Sequence, residues 1–254
     1  MTLQFTYIAL TLLITIIIVM LGVKTIKKSF SGITKIRNKI ILLITLLLLW
    51  HIYVFVIAQT AILQDYSLPP RVPLFLVLPT FVFIGIFAYI NRNENWLQNI
   101  PEHWLIFCQT FRVSLEILFV FSVAKGIIHS NMTIEGYNYD MVFASSAPFI
   151  GYWVYKKKKE FKNIAILWNL LGLGVITSII FVVVTTVYFP GFYGSSESLM
   201  SKEFGMYPYV LVPAFLMPFA VLMHILSIVQ LNKKKPQENA RDSTTDYTVF
   251  WFYK

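Results

Sequence analysis

Charge is scarce in this chain. Asp, Glu, Lys and Arg make up 13% of its 254 residues, against 57% apolar residues. A soluble domain carries about 25% charged residues, so there is too little polar surface for a water-soluble globule. Cysteine occurs once, at Cys108, which excludes an internal disulfide and gives no zinc signature. No His-Glu-x-x-His, Gly-x-Ser-x-Gly or Gly-x-x-x-x-Gly-Lys pattern is present, so the commonest zinc-hydrolase, serine-hydrolase and phosphate-loop chemistries have no starting point. No lysine lies between Pro208 and Leu231 to form a retinal Schiff base, and no apolar run carries a ladder of arginines. Nothing specifies a cofactor or a metal.

What the chain does have is long apolar runs. They cover about 5–23, 40–60, 72–90, 103–125, 141–155, 164–188 and 208–231. A helix of about 20 residues crosses a hydrocarbon core, so the sequence predicts an all-α polytopic membrane protein with seven transmembrane helices over residues 1–232. Residues 233–254 form a basic, then aromatic, tail. The run at 141–155 is too short to cross unaided and is expected to begin inside the preceding segment. Proline interrupts the third, fifth and seventh runs at Pro79, Pro148, Pro213 and Pro218, and each proline is a place for a helix to bend.

The net charge of +9 would suggest nucleic acid in a soluble chain, but here position explains it. With the N-terminus outside, the inner loops 24–39, 91–102 and 156–163 and the tail hold 17 of the 21 Lys and Arg residues. Arg71, Lys125 and Lys202 fall outside, and Arg112 lies within a span. The positive-inside rule therefore places the N-terminus outside and the C-terminus in the cytoplasm. The partner that this implies is the lipid bilayer, not nucleic acid; no protein partner is specified. The start Met1-Thr2-Leu3-Gln4 lacks the basic residues of a cleavable signal, which favours a retained first helix.

The fourth run carries the polarity that needs explaining. Gln109, Arg112 and Glu116 recur at spacings of three and four, so they share one helical face. Mid-membrane charge costs on the order of 2.5–3.5 kcal/mol by insertion scales, so this face must look inward. At about 1.5 Å per helical residue, Gln109, Asn169 and His224 fall at one depth on three helices. Arg112 and Glu116 lie nearer the centre, beside the level of His51. Arg112 and Glu116, four apart, are placed to neutralise each other; the polar face then either locks helices or lines a pocket. A second polar concentration, His129 to Asp140, contains Glu135, Asn138 and Asp140. Asp140 is expected to cap the fifth helix, and Asn131-Met132-Thr133 matches a glycosylation sequon.

The stretches Gln109-Thr110-Phe111-Arg112 through Glu116, Met132 through Asp140, Trp168-Asn169-Leu170-Leu171-Gly172-Leu173, and Tyr207-Pro208 through Pro213, Pro218 and His224 resemble an uncharacterised family of bacterial seven-helix integral membrane proteins. The resemblance covers about residues 100–231. It implies that fold and a multi-pass protein of the bacterial inner membrane, and it supplies no mechanism. The functional expectation is a polar pocket that binds or passes a small molecule, lipid headgroup or proton. In that pocket Arg112 holds an anionic group, Glu116 balances it, and Gln109, Asn169 and His224 orient the ligand. The alternatives are a membrane-embedded enzyme using His224 or His51 with Glu116, and a structural or assembly subunit.

Overall fold

The computed structural model describes residues 3–233, the side chains of residues 158 and 159 excepted; all but the first residue of the predicted tail lies outside the described residues. Regular structure among those residues is entirely helical. Six helices are long and apolar enough to cross a membrane: α1 (Leu3–Ser29), α2 (Ile33–Gln59), α3 (Pro73–Asn91), α4 (Glu102–Ala124), α6 (Glu160–Tyr188) and α7 (Val212–Asn232). Between α4 and α6 lies a shorter helical stretch, α5 (residues 140–156), interrupted near Ser146. Helices suit such a chain because hydrocarbon offers no hydrogen-bond partners, so each backbone group must find one within its own segment.

The continuous helical run Ala147–Tyr188 breaks at Lys157, where φ is −138° and ψ is 53°. The chain folds back there. The Trp168 indole N–H donates to Ser146 Oγ at 2.8 Å, Phe143 stacks on Trp168 at 4.7 Å, and Trp153 stacks on Phe161 at 5.3 Å. α5 and α6 therefore form an antiparallel hairpin. α5 also runs antiparallel to α4, with Tyr155 against His103 and Gly151 against Phe107.

α7 is the axis. It is 72% buried over its most apolar window, against 6% for α2. Its His224, Ser227 and Gln230 recur every three residues and are all buried. The Gln230 amide donates to the carbonyls of Leu97 and Ile100, pinning the connection between α3 and α4. α2 instead exposes Leu42, Leu46, Leu49, Ile52 and Val56, as a helix facing acyl chains does.

Two sequence expectations are corrected. The basic segment 24–39 is not a loop: α1 and α2 run through its lysines and turn only at residues 30–32, where Gly32 has φ 92°. Lysine is a good helix former whose stem can lie along apolar surface while its head reaches water. Nor is α5 extended toward its N-terminus. Residues 125–139, mostly turns, descend into the bundle, so that α5 begins beside the middle of α4.

The prolines of α3 and α7 open each helix with a wide π turn, at Pro73–Val77 and Val212–Leu216. A proline within a helix leaves the carbonyl four residues back without its donor. For Pro79 that carbonyl is Phe75 O, and Tyr53 Oη–H donates to it at 3.0 Å. For Pro218 it is Ala214 O, and the Trp50 indole N–H donates to it at 3.0 Å. The two donors lie one turn apart on α2, so this otherwise peripheral helix satisfies both defects. The segments Val72-Pro73-Leu74-Phe75-Leu76 and Val212-Pro213-Ala214-Phe215-Leu216 form a short internal repeat, and the two π turns pack together.

Candidate functional site

The polar face of α4 points inward. Arg112 is 2% exposed, Glu116 3% and Gln109 fully buried. Arg112 does not pair with Glu116. Its guanidinium takes Asp140 in a two-pronged grip, Nε donating to Oδ2 at 2.9 Å and Nη2 to Oδ1. Same-helix spacing favoured Glu116, but the descending loop brings a better-aimed carboxylate to the guanidinium plane. The Arg112 Nη1 group donates to His224 Nε2 at 3.1 Å and reaches Gln109 Oε1 at 3.5 Å. The Phe143 ring lies 5.6 Å from the guanidinium carbon.

Hydrogen-bond inventory fixes the next links. Guanidinium only donates, so His224 Nε2 accepts and the ring carries its proton on Nδ1. That proton goes to Asn169 Oδ1 at 2.8 Å. The Asn169 amide nitrogen then donates to Ala165 O at 2.7 Å and Ser227 Oγ at 3.0 Å. Gln109 donates to Ala220 O at 2.9 Å. Of the depth-matched residues, His224 and Asn169 bond directly, while Gln109 reaches them only through Arg112. Close approach of α6 depends on Gly172, since a Cβ there would lie 2.5 Å from His224 Nε2 and 2.8 Å from the Phe143 ring.

Asn138 organises the second half of the cluster. Its amide nitrogen donates to Glu116 Oε1 at 2.5 Å and to Met132 O at 2.9 Å, while its Oδ1 accepts the Asp140 backbone N–H at 2.9 Å. This turn-type bond two residues along the chain opens α5. Asp140 is therefore not the cap expected of it: its carboxylate is spent on Arg112. Beneath this turn Gly136 lies against the Asn131 backbone, where a Cβ would meet Asn131 Cα at 2.5 Å.

The remaining candidates stand apart. Glu135 is exposed and does not join the cluster. Asn131 and Thr133 are buried, so the sequon offers no accessible acceptor. His51 bonds the Leu47 carbonyl at 2.8 Å and Thr15 Oγ1 at 3.3 Å, edge-on to Phe215 and away from Arg112. Among the described residues no three His, Cys, Asp or Glu side chains come together as a metal site. Ser227 adds a member that no motif marks in the sequence; its place three residues after His224 puts it on the same helical face. The meeting of Arg112 with Asp140 left no sequence signal, because it depends on how far the intervening loop descends.

A cavity of about 90 Å³ adjoins the cluster. Arg112, Glu116, Asn138 and Asp140 lie along one edge of it with their polar atoms turned largely to one another; its accessible surface is almost wholly apolar, drawn from α3, α4, α6 and α7, with Met132 and Phe204 from two loops. Charge within it is uneven. Arg112 and Asp140 cancel, whereas Glu116 takes part in none of the ion pairs among the described residues. A carboxyl group outside any ion pair thus lies just behind the cavity's apolar surface, beside a guanidinium already paired to Asp140. Set against known proteins, the chain matches no family model, no curated protein and no solved structure.

Proposed function

We propose that the chain is a multi-pass protein of a bacterial cell membrane, of the seven-helix family noted above. Seven segments enter the bilayer, the N-terminus lies outside and the C-terminus lies in the cytoplasm. It binds a small ligand inside the bundle. Glu116 is the recognition group, and the ligand presents a cation or a hydrogen-bond donor to it. The observation that carries this reading is the buried Glu116 carboxyl at the edge of the cavity, outside every ion pair among the described residues, while its neighbour Arg112 is paired to Asp140. An intramembrane ionisable group is costly and marks a functional site by default.

The expected role of Arg112 changes. It holds an anion, but that anion is Asp140, so it fastens the loop before α5 to α4 instead of receiving a ligand. Gln109, Asn169 and His224 orient Arg112. The enzyme alternative loses ground because His224 Nε2 accepts from Arg112 and His224 does not line the cavity; it is not poised to exchange a proton with a group bound at Glu116.

The test uses protein in phosphatidylcholine nanodiscs with n-hexylammonium or hexanoate as probe. Hexylammonium is expected to raise the thermal unfolding midpoint of the wild type and leave that of Glu116→Gln unmoved, while hexanoate moves neither. An equal response of wild type and variant to the ammonium removes Glu116 from the site.

A further inference from the structure

The cavity is small for a complete ligand. A dry cavity of about 150 Å³ takes one benzene ring, and drug-sized pockets run to about 300–1,000 Å³. At about 90 Å³ this one holds a headgroup or a few methylenes, so the rest of a larger ligand must lie elsewhere.

The walls leave one direction for it. The walls from α4 and α7 are closed along most of their length: Phe111, Leu115, Phe119, Val212, Leu216 and Ala220 are all buried, and Met217 alone is half-buried. Met132 and Phe204 block the end away from the lysines. On the remaining side Pro73 and Val77 of α3 face Ile179, Ile180, Val183 and Val184 of α6, and all six are only half-buried. α3 and α6 each pack on α7, and no extensive contact joins them to each other. The space between them is lined by aliphatic side chains, toward the Pro73 end of α3 and the Tyr188 end of α6, within two helices long and apolar enough to cross a membrane. Both π turns border the cavity, one through Pro73 and Val77 and the other through Val212 and Leu216. A π turn widens the helix and often marks a functional position.

Building on the proposed binding at Glu116, we infer that the ligand is a single-chain lipid that enters from the membrane. It has a primary ammonium or hydroxyl head. The head reaches Glu116, and the acyl or prenyl chain leaves through the gap between α3 and α6 and lies among the surrounding lipids. The chemistry agrees on each side. A carboxyl flanked by the amide of Asn138 accepts a donor head, the half-buried aliphatic gap accepts a chain, and neither suits a phosphate or a water-soluble sugar.

The test is photo-cross-linking in phosphatidylcholine nanodiscs with dodecylamine carrying a diazirine at mid-chain, mapped by mass spectrometry. The expected result is labelling concentrated on residues 73–77 and 179–184, competed by unlabelled dodecylamine and lost in Glu116→Gln. Ile180→Trp, which fills the gap but leaves the cluster intact, is expected to abolish the labelling while ethylammonium, small enough for the cavity alone, still stabilises the protein. Labelling spread over the exposed faces of α1 and α2 and insensitive to competitor overturns the lateral route. So does full labelling of Ile180→Trp. If hexylammonium stabilises the wild type while either of those results is found, the Glu116 site stands and the lipid route falls. If neither amine binds, both fall.

Discussion

Arg112 and Glu116 carry opposite charges one helical turn apart, yet they have different tasks. Arg112 is compensated by Asp140 and oriented by His224. Removing one partner of a buried pair leaves the other charge uncompensated, at a cost of about 3–5 kcal/mol. Arg112→Ala and Asp140→Ala are each expected to lower the unfolding midpoint sharply in nanodiscs and to make residues 126–139 sensitive to protease. Arg112→Met with Asp140→Leu is expected to be more stable than either single variant. Glu116→Gln keeps an acceptor for Asn138, so its stability should lie within about 1 kcal/mol of wild type, the worth of a typical hydrogen bond. Gly172→Ala pushes a methyl group into the His224 ring and should cost about 1–3 kcal/mol by overpacking, measured by the same unfolding assay. The sequence told much of this: depth counting put Gln109, Asn169 and His224 together because rise per residue is constant. It mispaired Arg112 because spacing along one helix cannot say which other segment approaches that face.

Among the elements, the long helices were legible because twenty apolar residues leave few alternatives, and the first basic segment was misread because lysine neither breaks a helix nor has to leave it. The π turns were less legible. Their trace in the sequence is the repeated Val-Pro-x-Phe-Leu, whose meaning rests on two donors from a distant helix. Trp50→Phe and Tyr53→Phe each strand a proline-freed carbonyl and are expected to cost about 1–3 kcal/mol, the penalty for a buried unsatisfied group. The larger loss should follow Trp50→Phe, because its acceptor Ala214 is fully buried whereas the Tyr53 bond is exposed. The connection before α3 turns on Asp65. The Ser67 N–H, and then Arg71, hold its carboxyl down at about 2. A lowered carboxyl stabilises the fold above its ordinary range of about 4 and loses that contribution as pH falls through the folded value. Pepsin cleavage within residues 62–72 should therefore rise between about pH 4 and pH 2, and Asp65→Ala should be cut readily at both.

For the molecule as a whole, an internal ion pair fastens a descending loop, and the Glu116 carboxyl, outside any ion pair among the described residues, lies beside the cavity that we propose opens toward lipid between α3 and α6. The most direct check is a density map at side-chain resolution of the protein in nanodiscs containing dodecylammonium. The expected map keeps Arg112 on Asp140, places the ammonium against Glu116 and shows the chain emerging between α3 and α6. A map in which Arg112 leaves Asp140 for a bound ligand, Glu116 turns to the acyl chains, or α3 closes on α6 with nothing between them contradicts the account.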